Sequence, residues 1–298
     1  MSRTAILLGA SGILGSGFTT CLRSRPSTHL VAPTMPWGDP EGVAETLRRT
    51  LQGLPQAPTD VFWAAGTGRI SASGDEMRTE TRTVEMVVDL LEGPAGRGVA
   101  TFFFASSAGA LFGGHGSTVI NSETPPSPVT AYGEEKLRQE AAVAGLSDSG
   151  ACRTVVGRFS NVFGLANGWL RPKGLISVII RSTLANQSAS VFVNPDTRRD
   201  YVYAADAARM ALALVDAQHD RCAVSIISQG STLTVLDIIE NVRRVTRRKV
   251  PVVFKETPET AVQPLMLAFE RRKGLLATVP TSSFPAAIRV LTEGRLRQ

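Results

Sequence analysis

The sequence predicts an α/β protein built on a doubly wound parallel sheet, followed by a smaller α/β region toward the C-terminus. Three observations carry this. Short apolar runs alternate with helix-length amphipathic segments over roughly the first 160 residues, the pattern of strands linked by crossover helices. The first run leads directly into a glycine-rich turn and then a helical pattern. A central run, Phe102-Phe103-Phe104-Ala105-Ser106-Ser107-Ala108, is apolar until it ends in two hydroxyls, as a strand buried on both faces does when its C-terminal edge opens onto a crevice.

Thr4-Ala5-Ile6-Leu7-Leu8 reads as the first strand, and Gly9-Ala10-Ser11-Gly12-Ile13-Leu14-Gly15 as the turn into a helix reaching Leu22. Glycines at this spacing allow a tight turn, close approach to a pyrophosphate and close packing of helix on sheet, with the helix N-terminus facing the phosphates. Gly9, Ser11, Gly12, Ile13 and Gly15 are therefore candidate dinucleotide contacts. The second strand, His29-Leu30-Val31-Ala32, ends in Pro33-Thr34. Neither the acid that would hold the adenosine ribose of NAD nor an Arg for a 2′-phosphate follows it, so NADP stays open beside NAD. Asp39 is the nearest carboxylate, either beside the adenine or as the cap of a helix over Glu41 to Leu51.

The third strand starts at Asp60 and ends in Ala64-Ala65-Gly66, small residues that let a cofactor lie against the backbone. Residues 76–92 form a helix with Met77, Thr81, Val84, Val88 and Leu91 on one stripe. After the Phe102–Phe104 strand, a helix over 131–145 carries Tyr132 and Lys136, four apart and so on one face. An ammonium beside a phenol favours the phenolate, which suits the pair to proton transfer with an alcohol hydroxyl while Ser107 holds the reacting oxygen. Arg153 to Phe159 is the next strand.

Beyond Ser160 the pattern loosens. Asn161-Val162-Phe163-Gly164 opens a Gly/Asn-rich loop over 164–174, followed by a helix over 175–186 and a strand at Val191-Phe192-Val193. Arg198 to Tyr203 leads into a helix over Ala205 to Ala217, then a strand at Val224 to Ile227, a helix from Val235 to about Arg247, a strand at Val250 to Phe254 and a last helix over 284–293. Residues 1–160, with 204–228 returning to them, would form the dinucleotide-binding part, and most of 161–298 would cover the crevice and read the substrate.

At 298 residues, 43% hydrophobic and 19% charged, the chain can bury a large core. The net charge of +6 is spread out, apart from Arg243-Arg244 and Arg247-Arg248-Lys249 on a helix, so it suits an anionic small substrate and gives no footprint for nucleic acid. Cys21, Cys152 and Cys222 lie far apart, which suggests neither disulfides nor a metal site and fits a reducing cytoplasm. No run reaches the length of a membrane span, and no membrane partner is expected.

Together these pieces resemble the extended branch of the short-chain dehydrogenase/reductases, the NAD-dependent epimerase/dehydratase family acting on nucleotide-diphosphate sugars. The likeness rests on Gly9-x-x-Gly12-x-x-Gly15, Ser106-Ser107-Ala108 with Phe112-Gly113, Glu123-Thr124-Pro125 with Pro128 before Tyr132-Gly133-x-x-Lys136, Arg158 to Gly164, and Arg199-Asp200-Tyr201-Val202-Tyr203 with Asp206. It implies a Rossmann fold, Tyr132 as acid/base, Lys136 tuning it and binding the nicotinamide ribose, and cofactor contacts from Ser106 and Phe159. It also implies Asn161 and Arg199 on the substrate diphosphate, the guanidinium being suited to it. For Arg199 an ion pair with Asp200 or Asp206 is the plain alternative.

The family's dehydratases carry an Asp-Glu pair where Ala108-Gly109 stand, which argues against dehydration. One extra residue before Phe112-Gly113 leaves the choice between Ser106 and Ser107 open. The expected activity is 4-epimerisation of a nucleotide sugar, with an NADPH-dependent 4-ketosugar reductase, or a non-catalytic dinucleotide-binding protein, as alternatives. Likeness to the family's dimers further implies a homodimer through the helices at 76–92 and 131–145, burying Val84, Val88 and Leu137.

Overall fold

The structure, a computed structural model, describes residues 3–55, 57–66, 74–116, 118–166, 174–217, 220–255 and 266–293. Its main sheet takes six strands: β1 (Arg3–Leu8), β2 (Thr28–Val31), β3 (Thr59–Trp63), β4 (Val99–Ser107), β6 (Arg153–Phe159) and β10 (Cys222–Ile227). Their spatial order is β10-β6-β4-β3-β1-β2, and every neighbouring pair is parallel. The chain starts one strand in from an edge, places β2 outside β1, then crosses back over β1 to β3 and winds on through β4, β6 and β10. Only β2 lies beyond β1, and α2 returns the chain from it to β3 on the other side of β1.

Alternation along β4 divides the core. Phe102 and Phe104 face α2 (Pro40–Gln52), α3 (Gly74–Glu92) and α5 (Ala131–Asp148), in one cluster with Val43, Val84, Val88, Val143 and Leu146. Phe103 faces α1 (Ile13–Arg23) and α7 (Ala204–Ala217), with Phe18, Leu22, Ala207 and Ala211. Helices therefore cover both faces, as the continuous apolar strands require. After β4 the chain makes one helical turn, α4 (Ala108–Leu111), on its way to α5.

A second sheet runs β11 (Thr232–Leu233), β9 (Arg198–Tyr203), β13 (Met266–Phe269) and β5 (Val119–Ile120), with β7 (Asn161–Phe163) also on β9. A third core lies among α6 (Leu175–Leu184), α8 (Val235–Thr246), the helix Phe284–Glu293 and the pair β8 (Ala189–Val191) and β12 (Val252–Phe254). Two expectations change here, and a third lies mostly outside the described residues. Asn161–Phe163 pairs in parallel with Tyr201–Tyr203 instead of opening a loop. The strand expected at Val191–Val193 sits at Ala189–Val191, where β12 fixes its register. Of the loop expected over 164–174, residues 167–173 lie outside the described residues.

The expected interface residues also need correction. Val84 and Val88 are buried in this chain's own core, and only Leu137 is exposed, at 37%. The stripe that the helical period placed on one face of α3 points at the sheet. Its outward face carries Arg78, Arg82, Glu85 and Asp89.

Phe103 is fully enclosed, with ring centroids 5.5 Å from Phe18, 5.9 Å from Phe62 and 6.2 Å from Phe159. Truncation leaves a cavity that four elements cannot close together. Phe103→Ala is expected to lower unfolding stability by about 3–5 kcal/mol in urea denaturation.

Candidate functional site

Every strand of the main sheet ends on the same rim, and the glycine turn leaves it between β3 and β2, at the end of β1. Gly9, at φ +92°, follows β1 directly, and a Cβ there would lie 2.7 Å from the Ala65 backbone nitrogen. A Cβ on Gly15 would lie 2.1 Å from the Gly9 carbonyl oxygen, so a side chain at Gly15 would force α1 away from the turn, and one at Gly9 would force the turn away from the chain leaving β3. Gly12 caps α1 without a side chain, and the first turn of the helix holds no acid. The N-terminal amides are thus left to an outside acceptor, at the positive end of the helix dipole. Ser11 is exposed in the turn, Ile13 begins the helix, and Ala64-Ala65-Gly66 run alongside from the end of β3. The cradle fits a dinucleotide pyrophosphate.

Asp39 is a helix cap. Its carboxylate accepts from the Gly42 amide at 3.0 Å and caps α2, while β2 itself ends without an acid. Phe159 is buried among Phe103 and Val155, so its side chain is core and only its backbone reaches the rim.

The Tyr-Lys helix begins beside the end of β4. Thr130 caps it, accepting from Gly133 at 3.1 Å, and Tyr132 packs on Met77 and Ala110. One turn further, Lys136 is 3% exposed, and its Nζ lies 5.4 Å from the Phe104 ring centroid and 5.9 Å from that of Tyr132. The ammonium donates to Glu80 Oε1 at 2.7 Å and Gln139 Oε1 at 2.9 Å. Gln139 donates to Thr81 Oγ1 at 3.0 Å, and Thr81 to Glu135 at 2.7 Å.

Burial alone would drive Lys136 toward neutrality, but the Glu80 carboxylate and the neighbouring Tyr132 outweigh it and hold the ammonium above its usual lysine value. Because that folded-state value is raised, the stabilisation is fully present below the ordinary lysine range and is lost only as pH climbs through the raised value. Of the other two tyrosines, burial pushes Tyr201 up to about 12 and also raises Tyr203. Burial likewise pushes the Cys152 thiol up to about 11, away from nucleophilic use.

The two serines part company. Ser107 Oγ accepts from the Ala110 amide at 3.3 Å and caps α4. Ser106, two residues past Phe104, lies on the α3/α5 side of the strand, and its buried hydroxyl has no hydrogen-bond partner among the described residues. Asn161 donates to the Asp200 carbonyl at 3.0 Å, which ties β7 to β9. Arg199 donates to the Arg198 carbonyl, and burial lowers its guanidinium from the usual range. The carboxylates offered as its plain partners are held elsewhere. Asp200 accepts from Ser160, Gln229, Gly230 and Ser231, and Asp206 from Arg209 and Ser282.

Sequence reading missed Glu80 and Gln139. The available signal was a carboxylate three residues after Met77, inside an apolar stripe. Among the described residues no group of His, Cys, Asp and Glu could hold a metal ion, and no helix is long and apolar enough to cross a membrane.

Removing the Asp39 carboxylate tests its role. Asp39→Ala is expected to cost about 1 kcal/mol of stability, as lost caps do, and to leave dinucleotide affinity unchanged in calorimetry.

The comparisons with known proteins identify the family and the fold. The model of the NAD dependent epimerase/dehydratase family matches residues 5–225. The chain is 28% identical over 138 residues to a putative UDP-glucose 4-epimerase of Methanocaldococcus jannaschii, covering 46% of this chain and 45% of the relative. It is 29% identical over 190 residues to the UDP-glucose 4-epimerase of Streptomyces lividans, covering 60% of this chain and 56% of the relative. The chain thus spans about half the length of these curated relatives. In fold it is similar to a UDP-glucuronic acid 4-epimerase from Bacillus cereus, solved in complex with UDP-glucuronic acid and NAD, with a TM-score of 0.80, 17% identity and 99% of both chains covered. With the family model matched over most of its length and the glycine turn and Tyr-Lys helix on one rim, the chain belongs to the NAD dependent epimerase/dehydratase family.

Proposed function

We propose that the protein interconverts a UDP-hexose with its C4 epimer, removing and returning hydrogen at C4 with NAD held on the rim. The observation that carries this is the placement of Tyr132 and Lys136 on α5 beside the Phe104 end of β4, on the same rim as the uncapped glycine turn. Relatives named as UDP-glucose 4-epimerases favour this over a one-way ketosugar reductase. Apolar Ala108 and Gly109, at the start of α4, supply no acid for dehydration.

The dinucleotide, when bound, supplies a nicotinamide ring that accepts the C4 hydride and gives it back. Its pyrophosphate would lie on Gly9, Ser11, Gly12, Ile13 and Gly15, with Ala64, Ala65 and Gly66 alongside. Tyr132 takes the C4 hydroxyl proton as the hydride leaves and returns it when the hydride comes back to the other face of the turned sugar. Lys136 offsets the phenolate charge at close range. Ser107 orients the reacting oxygen, and the unpartnered hydroxyl of Ser106 is available on the same rim. Asn161 and Arg199 hold the diphosphate. Residues 1–160, with 204–228, would bind the cofactor, and most of 161–298 the sugar nucleotide. We infer cytoplasmic residence from the free cysteines. A homodimer through α3 and α5 would use Leu137 and paired surface charges, which light scattering would register as a doubled mass.

Tyr132→Phe and Lys136→Met are each expected to lower turnover at least about a hundredfold. Near-normal turnover in either contradicts the assignment. Arg199→Ala is expected to weaken UDP binding by about 1.5–3 kcal/mol in calorimetry without changing dinucleotide affinity. Protein denatured after purification is expected to release NAD, because an epimerase regenerates its cofactor in place.

A further inference from the structure

Glu80 reaches the site from a different helix than the residues it serves. It stands on the sheet-facing side of α3, its side chain is 8% exposed, and its carboxylate is the acceptor nearest the Lys136 ammonium, at 2.7 Å. The approach is prepared on the opposite side as well. Gly66, at φ +153°, follows β3 on the rim, and a Cβ there would come within 3.2 Å of Glu80 Oε1.

Among the described residues, the charged and titratable groups around Lys136 are few. α3 contributes Glu80, and α5 contributes Tyr132 and, further off, Glu140, which is engaged by Arg158 of β6 at 2.7 Å. From β4 comes only the Phe104 ring. Gln139 completes the contacts as a neutral acceptor. The ammonium is therefore surrounded by protein, and among the described residues one carboxylate touches it. A lysine so enclosed sheds its proton unless a counter-charge stands beside it.

We propose that Glu80 is a positioning residue for the reaction: it fixes the Lys136 ammonium against Phe104 and keeps it charged, so that Tyr132 always works beside a cation. The proposal rests on Tyr132 and Lys136 being the acid/base pair. It deepens that reading by placing the control of the lysine's charge on α3. Two ammonium donors are committed to Glu80 and Gln139, which leaves one of the three for a ligand hydroxyl.

Glu80→Gln keeps an acceptor oxygen and removes the charge. Glu80→Asp keeps the charge and withdraws it by one methylene. The Lys136 side-chain nitrogen can be followed by NMR in protein carrying ¹⁵N-lysine, with Lys136→Met assigning its signal.

In Glu80→Gln the Lys136 signal is expected to titrate about one pH unit or more below wild type, and the high-pH limb of turnover to move down with it while KM for the sugar nucleotide holds. In Glu80→Asp the lysine is expected to stay charged at wild-type pH while turnover falls about tenfold or more. An unchanged Lys136 titration in Glu80→Gln overturns the proposal, as does wild-type turnover in both variants. The NMR readout needs no substrate. An inactive wild type with the shift present would count against the epimerase reading alone.

Discussion

Parallel strand direction is the constraint on which the molecule depends. Six strands running the same way place all their C-terminal ends on one rim, and crossover helices must return to the other before each strand begins. The glycine turn after β1, Ala64 to Gly66 after β3, Ser106 and Ser107 at the end of β4 and the backbone beyond β6 are thereby neighbours, although scattered along the sequence. Helices α1 and α5 also start on this rim. The uncapped amides of α1 and the first-turn Tyr132 of α5 therefore face one crevice. Chemistry collects where topology brings strand ends and helix starts together.

The two faces of the sheet are built differently. Between sheet, α1 and α7 the packing is aromatic and aliphatic, led by Phe18, Phe62 and Phe103. Between α3 and α5 a polar chain, Glu80, Lys136, Gln139, Thr81 and Glu135, runs through the layer beside equally apolar neighbours. Taking these charges out of water costs much of what their attraction returns, and apolar groups of similar volume would serve stability as well. Retaining them makes sense where a fixed ammonium is needed under a phenol.

Legibility followed burial and length. Strands covered on both faces, such as Phe102 to Phe104 and Arg153 to Phe159, leave continuous apolar runs and stand where the sequence places them. The second sheet is built of strands as short as Val119–Ile120 and Thr232–Leu233, too brief to show a period, and Asn161–Phe163 reads as a loop until β9 is beside it. The glycine turn and the Tyr-Lys pair were readable because local spacing alone defines them. Glu80 was not, since its partner lies on another helix. Helical period grouped Val84 with Val88 correctly but could not say whether the stripe faced a partner subunit or the sheet. Asp39 was readable as a helix cap from its place just before Pro40, and its bond from the Gly42 amide bears that out.

In the proposed reaction, hydrogen leaves C4 and returns to C4 of the same sugar without passing through solvent. Following a UDP-hexose carrying deuterium at C4 by mass spectrometry, with no reductant added, tests this most directly. Both epimers are expected to appear with the C4 deuterium retained. Loss of the label to water as the epimers form, or no epimer at all while a 4-keto sugar nucleotide is reduced once NADPH is supplied, would contradict it.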